Sequence, residues 1–148
     1  PRSENSDDRY GAFSWSLTSN GEIRTETQTT NPGIFITLQP LARGVVAART
    51  LPVSGPNTYT LTQRVDYKGA SGTRVNWVAD CILPVTNERQ RIWEQTIPPA
   101  RQPVTYRSEI EIPSNCYLMD LRLLGTGPEG QLPQTLSITD IALEPVTL

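Results

Sequence analysis

Apolar residues recur at every second position along most of the chain, and no stretch keeps a 3.6-residue helical period over eleven residues or more. That alternation constrains the fold most. A side chain pointing to one face at every other residue belongs to a half-buried strand, so the sequence predicts about ten strands. The clearest case runs from Thr58 to Lys68. Tyr59, Leu61, Gln63, Val65 and Tyr67 take one parity as the core face, and Thr60, Thr62, Arg64 and Asp66 take the other. Val75, Trp77, Ala79 and Cys81 repeat the pattern after a Gly69 to Gly72 turn, with Arg74, Asn76 and Asp80 opposite, and the two runs read as a hairpin.

The remaining strands follow from the same alternation. Phe13, Trp15 and Leu17 share a face before Ser19-Asn20-Gly21, and a second strand passes through Ile23. Asn31-Pro32-Gly33 turns the chain into Ile34, Ile36 and Leu38, and Val45, Ala47 and Leu51 line one face of the next strand. Later strands span Arg91 to Ile97, Val104 to Ile112, Cys116 to Leu124 and Thr135 to Leu143. In the last, Leu136 and Ile138 have one parity while Ile141 and Leu143 have the other. A β-bulge at Thr139-Asp140 or a frayed strand end accounts for the switch.

Strands punctuated by thirteen Pro and ten Gly, with no helix to cover a sheet, must bury their apolar faces against each other. The predicted fold class is all-β, a two-sheet antiparallel jelly-roll sandwich. At 148 residues one domain is expected, residues 10–148, preceded by a polar, flexible arm at residues 1–9. Because the chain starts at Pro1, it reads as a processed product or a domain of a larger protein, with other domains of that parent as expected neighbours.

Cys81 ends one core strand and Cys116 opens another, and two cysteines with no histidine anywhere cannot supply a four-ligand zinc site. They are either a disulfide or two buried thiols. The disulfide reading implies an extracytoplasmic home: periplasm, cell surface or secretion. A net charge of −2 with dispersed Lys and Arg disfavours nucleic acid, and apolar runs of only a handful of residues disfavour membrane insertion.

The absence of histidine also removes the commonest general base and the Ser-His-Asp triad. Paired carboxylates are the remaining hydrolytic device, with Glu109 and Glu111 on one strand face and Glu94 and Asp66 as neighbours to consider. Alternation with Ile110 and Ile112 reads instead as an ordinary solvated strand face, so the chain is expected not to be an enzyme. Trp93 is the aromatic of most interest. By strict alternation it shares a face with Arg91 and Gln95, and Arg64, Asn76, Arg107 and Glu109 have the parity to join it as a polar groove around a sugar-stacking indole. The competing reading continues the Trp93 parity inward through Ile97 and makes the ring a core residue.

The segment Leu136-Ser137-Ile138-Thr139-Asp140-Ile141-Ala142-Leu143-Glu144-Pro145 resembles the closing strand of galactose-binding-like jelly-roll carbohydrate-binding modules. Phe13-Ser14-Trp15, Tyr59-Thr60-Leu61 and Ile110-Glu111-Ile112-Pro113 are similar to other strands of these modules, so the likeness spans roughly residues 11 to 146. It implies a non-catalytic domain that binds a polysaccharide or glycan. It also implies a structural Ca²⁺ held in part by Asp140, since oxygen ligands suit that ion. Trp77, Cys81, Ile112-Pro113 and Cys116 bear a looser resemblance to the β-sandwich domain that ends some bacterial tetratricopeptide-repeat proteins. A structural or protein-interaction domain of an exported protein is the alternative function.

Overall fold

The computed structural model describes residues 15–28 and 33–146, which form no helix. Ten strands are present: β1 (Ser16–Leu17), β2 (Ile23–Gln28), β3 (Gly33–Leu38), β4 (Arg43–Pro52), β5 (Asn57–Asp66), β6 (Arg74–Ile82), β7 (Arg89–Thr96), β8 (Val104–Ile112), β9 (Leu118–Thr126) and β10 (Gln134–Pro145). They make two five-stranded sheets, ordered β1-β4-β9-β6-β7 in sheet A and β2-β3-β10-β5-β8 in sheet B. Every pairing is antiparallel. The fold is the all-β two-sheet sandwich that the alternation predicts. The arm at residues 1–9, the Phe13-Ser14 portion of the first strand and the Asn31-Pro32 portion of the turn lie outside the described residues.

The core forms between the sheets from the in-phase residues of each strand. Leu61, Val65 and Ile110 of sheet B meet Trp77, Met119, Leu121 and Leu123 of sheet A, all buried. Trp77 is fully buried and tilts against Trp15 with ring centroids 5.4 Å apart. Its indole Nε1 donates a 2.9 Å hydrogen bond to Gln63 Oε1, which explains a buried glutamine in the core parity of β5.

Three local expectations are corrected. β5 and β6 are not a hairpin: β5 pairs with β10 and β8, β6 with β9 and β7, and the connection crosses between sheets. The turn itself stands, with Gly69 at φ 78° and Gly72 at φ 84°, a left-handed region that favours glycine. Val45 does not share a face with Ala47, because a register shift between them turns Val45 outward beside Leu124 while Ala47 stays in the core. The third correction concerns β7 and decides the site below.

The parity switch in β10 is a bulge. Register against β5 shifts between Thr139 and Ala142, and Asp140 takes φ 55°, a conformation that Asp tolerates better than most residues. Cys81 and Cys116 are joined, with Cα atoms 5.8 Å apart and both residues buried. The bond ties the end of β6 to the approach of β9 within sheet A.

Candidate functional site

Directly opposed residues of neighbouring strands share a sheet face, so the pairings identify which side chains lie on the outward side of sheet A. One row crosses β4, β9, β6 and β7 as Thr50, Asp120, Asp80 and Arg91. The next carries Ala48, Arg122, Val78 and Glu94. Asp120 and Asp80 therefore stand side by side on a face that should be wet. They are nevertheless only 2% and 8% exposed. An outward carboxylate is hidden only when other side chains lie over it, and here arginines do so, using their aliphatic stems as cover.

Arg89 bridges the two acids, bonding Asp120 Oδ2 through Nη1 and lying 3.6 Å from Asp80 Oδ2. Arg91 Nε donates to Asp80 Oδ1 at 2.5 Å, and Arg122 Nε donates to Asp120 Oδ2 at 2.7 Å. Thr50 Oγ1 adds a 3.3 Å bond to Asp120 Oδ1. Two like charges directly opposite would repel. Three guanidinium groups offset that repulsion, and the two carboxylates in turn hold them in place. The arginine side chains remain 37 to 47% exposed, so each is anchored at one edge and open at another.

Burial by itself would raise the Asp120 carboxyl, but the Arg89 hydrogen bond, reinforced by Arg122, outweighs it and holds the group below its ordinary 3.8. The same bond raises Arg89. A carboxyl depressed in the folded state stabilises the fold fully above its unfolded value and loses that contribution as pH falls through the folded one. Stability should therefore decline below pH 3.8 as this group protonates. Asp120→Asn should cost roughly 1.5–3 kcal/mol near neutrality, by loss of charge-assisted bonds, and should flatten that acid limb. Denaturant midpoints measured from pH 2 to pH 7 check both (a range of about five units).

Arg91 reaches this cluster through a bulge. Ala79 pairs with Trp93 and Asp80 with Arg91, so Ile92 is the extra residue and the parity of β7 reverses there. Strict alternation had kept Arg91 with Trp93 and Gln95; the bulge sends Arg91 outward and leaves the other two inward. Trp93 is half-buried against the core, and Gln95 Oε1 accepts a 2.6 Å bond from Ser108 Oγ of β8. The expected common groove is thus divided. Asn76 lies on the outward face of sheet A, paired with Leu124 and Thr96. Arg64, Arg107 and Glu109 lie on the outward face of sheet B, opposite Thr105, Thr62 and Thr60.

Sheet B has hollows of its own. One of about 340 Å³ is lined by Thr62, Arg107 and Glu144, and a second of about 700 Å³ by Arg24, Phe35, Asp66 and Ser137 among others. Of the carboxylates weighed for hydrolysis, Glu94 is on sheet A, and Asp66 lies on sheet B six residues along β5 from the position opposite Glu109, roughly 20 Å away and beyond the separations glycosidases use. Glu109 and Glu111 do stay together, two residues apart on the exposed outward face of β8. Asp140 is exposed at its bulge, and among the described residues no three His, Cys, Asp or Glu side chains group together.

Asp80, Asp120, Arg89 and Arg122 were not singled out by the sequence. Parity did place Asp80 outward, but only strand order brings Asp120 beside it.

No family model and no curated protein matches the sequence. Solved structures do match the fold. The N-terminal cellulose-binding domain of Cellulomonas fimi β-1,4-glucanase C aligns with 95% of this chain and 93% of its own, at TM-score 0.62 and 13% identity. The CBM22-1 xylan-binding domain from Paenibacillus barcinonensis Xyn10C aligns with 93% of this chain and 89% of its own, at TM-score 0.58 and 9% identity. The enzymatically active domain of bacteriophage CBA120 tailspike protein 4 matches 94% of this chain at TM-score 0.63 and 13% identity, and the chain spans 21% of that longer protein. These likenesses bear on the carbohydrate-module resemblance, not on the one to tetratricopeptide-repeat proteins.

Proposed function

We propose that the domain is a non-catalytic carbohydrate-binding module whose ligand lies across the outward face of sheet A. The observation that carries this reading is the buried Asp80–Asp120 pair with Arg89, Arg91 and Arg122 fixed around it. Burying ion pairs is a poor route to stability, because apolar residues of similar volume do as well or better. A face that retains them gains positioned, half-exposed guanidinium edges instead. Planar groups locked in place lose little freedom on binding, which suits a ligand rich in hydroxyl groups. Asn76 adds an amide on the same face.

The fold supports the reading, since the cellulose-binding and xylan-binding domains named above cover nearly the same span of chain. The buried disulfide accords with an extracytoplasmic setting.

Affinity electrophoresis against immobilised polysaccharides, with isothermal titration on any that retard the protein, tests the proposal. Arg91→Gln should weaken binding about tenfold, the cost of one charge-assisted contact, while Asp80 keeps Arg89 as partner. Trp93→Ala should lower stability and leave the affinity of the folded protein unchanged. Retardation on no polysaccharide, or affinity untouched by Arg91→Gln, would overturn the assignment.

A further inference from the structure

We infer that the ligand of this face is an acidic glycan, one whose sugar residues carry carboxylates; the inference rests on the binding role proposed above. Charge is the first observation. The whole chain carries −2, yet the outward face of sheet A reverses the sign. Arg43 and Arg74 flank Thr126 at one end, while Arg122, Arg91 and Arg89 cluster at the other. Along the strands five arginines face Asp80, Asp120 and Glu94, and Glu129 lines the hollow beside Arg43 and Arg74, leaving one positive charge in excess.

The second observation concerns what a ligand meets. The two aspartates are buried and already bonded to arginines, with side chains 12% and 3% exposed, so they offer a ligand little as acceptors. The guanidinium groups are the accessible part, and guanidinium only donates. A surface of donors is satisfied best by a partner that only accepts. Sugar hydroxyls both donate and accept; a carboxylate accepts alone, and its two oxygens match the fork of an arginine.

A third observation concerns the apolar contribution. Among the described residues, the outward positions of β4, β9, β6 and β7 carry no aromatic ring, so the flat stacking platform that would hold a neutral sugar is missing there. Affinity must come from charge and hydrogen bonds. The Thr126 and Asp120 rows lie six residues apart on β9, roughly 20 Å, which is room for several sugars in a chain. Arg43 and Arg74 would then engage a second acidic residue of the same polymer.

The test uses polygalacturonate, alginate and hyaluronan, each paired with its carboxyl-reduced form, together with neutral xylan and cellulose. At least one acidic polymer should bind about tenfold or more tightly than its reduced counterpart, as expected for a charge-assisted contact, and added salt should weaken that binding. The Arg43→Gln/Arg74→Gln variant, altered only at exposed positions, should keep the parent's melting temperature and lose about two- to fivefold in affinity for the acidic polymer. Equal binding to acidic and reduced forms, or binding to neutral polymers alone, overturns the acidic assignment and leaves carbohydrate binding standing. Retention on none of the polymers overturns both.

Discussion

Replacing Trp77 with alanine should remove about 5 kcal/mol of stability, enough to unfold a domain of ordinary marginal stability. The ring is fully buried between the sheets and against Trp15, so truncation opens a cavity that the flanking strands cannot close. It also strips Gln63, 1% exposed, of the indole that donates to it, leaving an unsatisfied amide in the core. Trp77→Phe separates the two causes. Phenylalanine keeps most of the apolar volume but offers no donor, so its cost should be about 1–3 kcal/mol, and the further Gln63→Leu change should restore part of it. Urea denaturation of the four proteins checks the series. A loss under about 2 kcal/mol for Trp77→Ala would mean that the interior repacks far better than this contact pattern allows. Function follows the same residue, because Asn76 and Asp80 project from β6 on the face opposite Trp77.

The second large effect should come from Cys81 and Cys116. Their bond closes 35 residues of separation, and the chain-entropy relation assigns such a loop about 4 kcal/mol through the unfolded state. The Cys81→Ala/Cys116→Ala protein should therefore lose about that much in denaturant titrations. The wild-type protein should match it in excess reductant only after unfolding, since both cysteines are buried. The span enclosed contains β7, which supplies Arg89 and Arg91, and the crossing to β8 in sheet B. An unbridged variant within about 1 kcal/mol of the parent would contradict the argument.

Much of the fold is legible in the order of residues. The core faces of β5 and β6 follow from alternation, because a two-residue side-chain period is a local property of the backbone. The bulge in β10 and the disulfide were each one of two readings the residues left open, and the structure decides both. The irregularity in β10 declares itself, as bulge or frayed end, since the apolar residues change parity across it. The β7 bulge does not. Arg91, Ile92 and Trp93 offer no such break, and where the extra residue sits depends on how β6 pairs with them. That one extra residue puts Arg91 and Trp93 on opposite faces.

The assignment of strands to sheets was equally hidden. Gly69 and Gly72 announce a turn, but a turn between two strands reads the same whether they pair or part to opposite sheets. The carboxylate site shows the limit most clearly. Local periodicity put Asp80 on a solvent face, correctly as to direction and wrongly as to burial. Strands from distant parts of the chain bring Asp120 beside it and Arg89, Arg91 and Arg122 over it. By itself, then, the sequence determined which residues form strands and which side of each strand is apolar, because backbone geometry settles both within a few residues. Tertiary structure decided which strands adjoin and which charges meet, because those contacts join residues far apart in the chain, 40 positions for Asp80 and Asp120 and 70 for Thr50 and Asp120, and exist only after the sheets assemble.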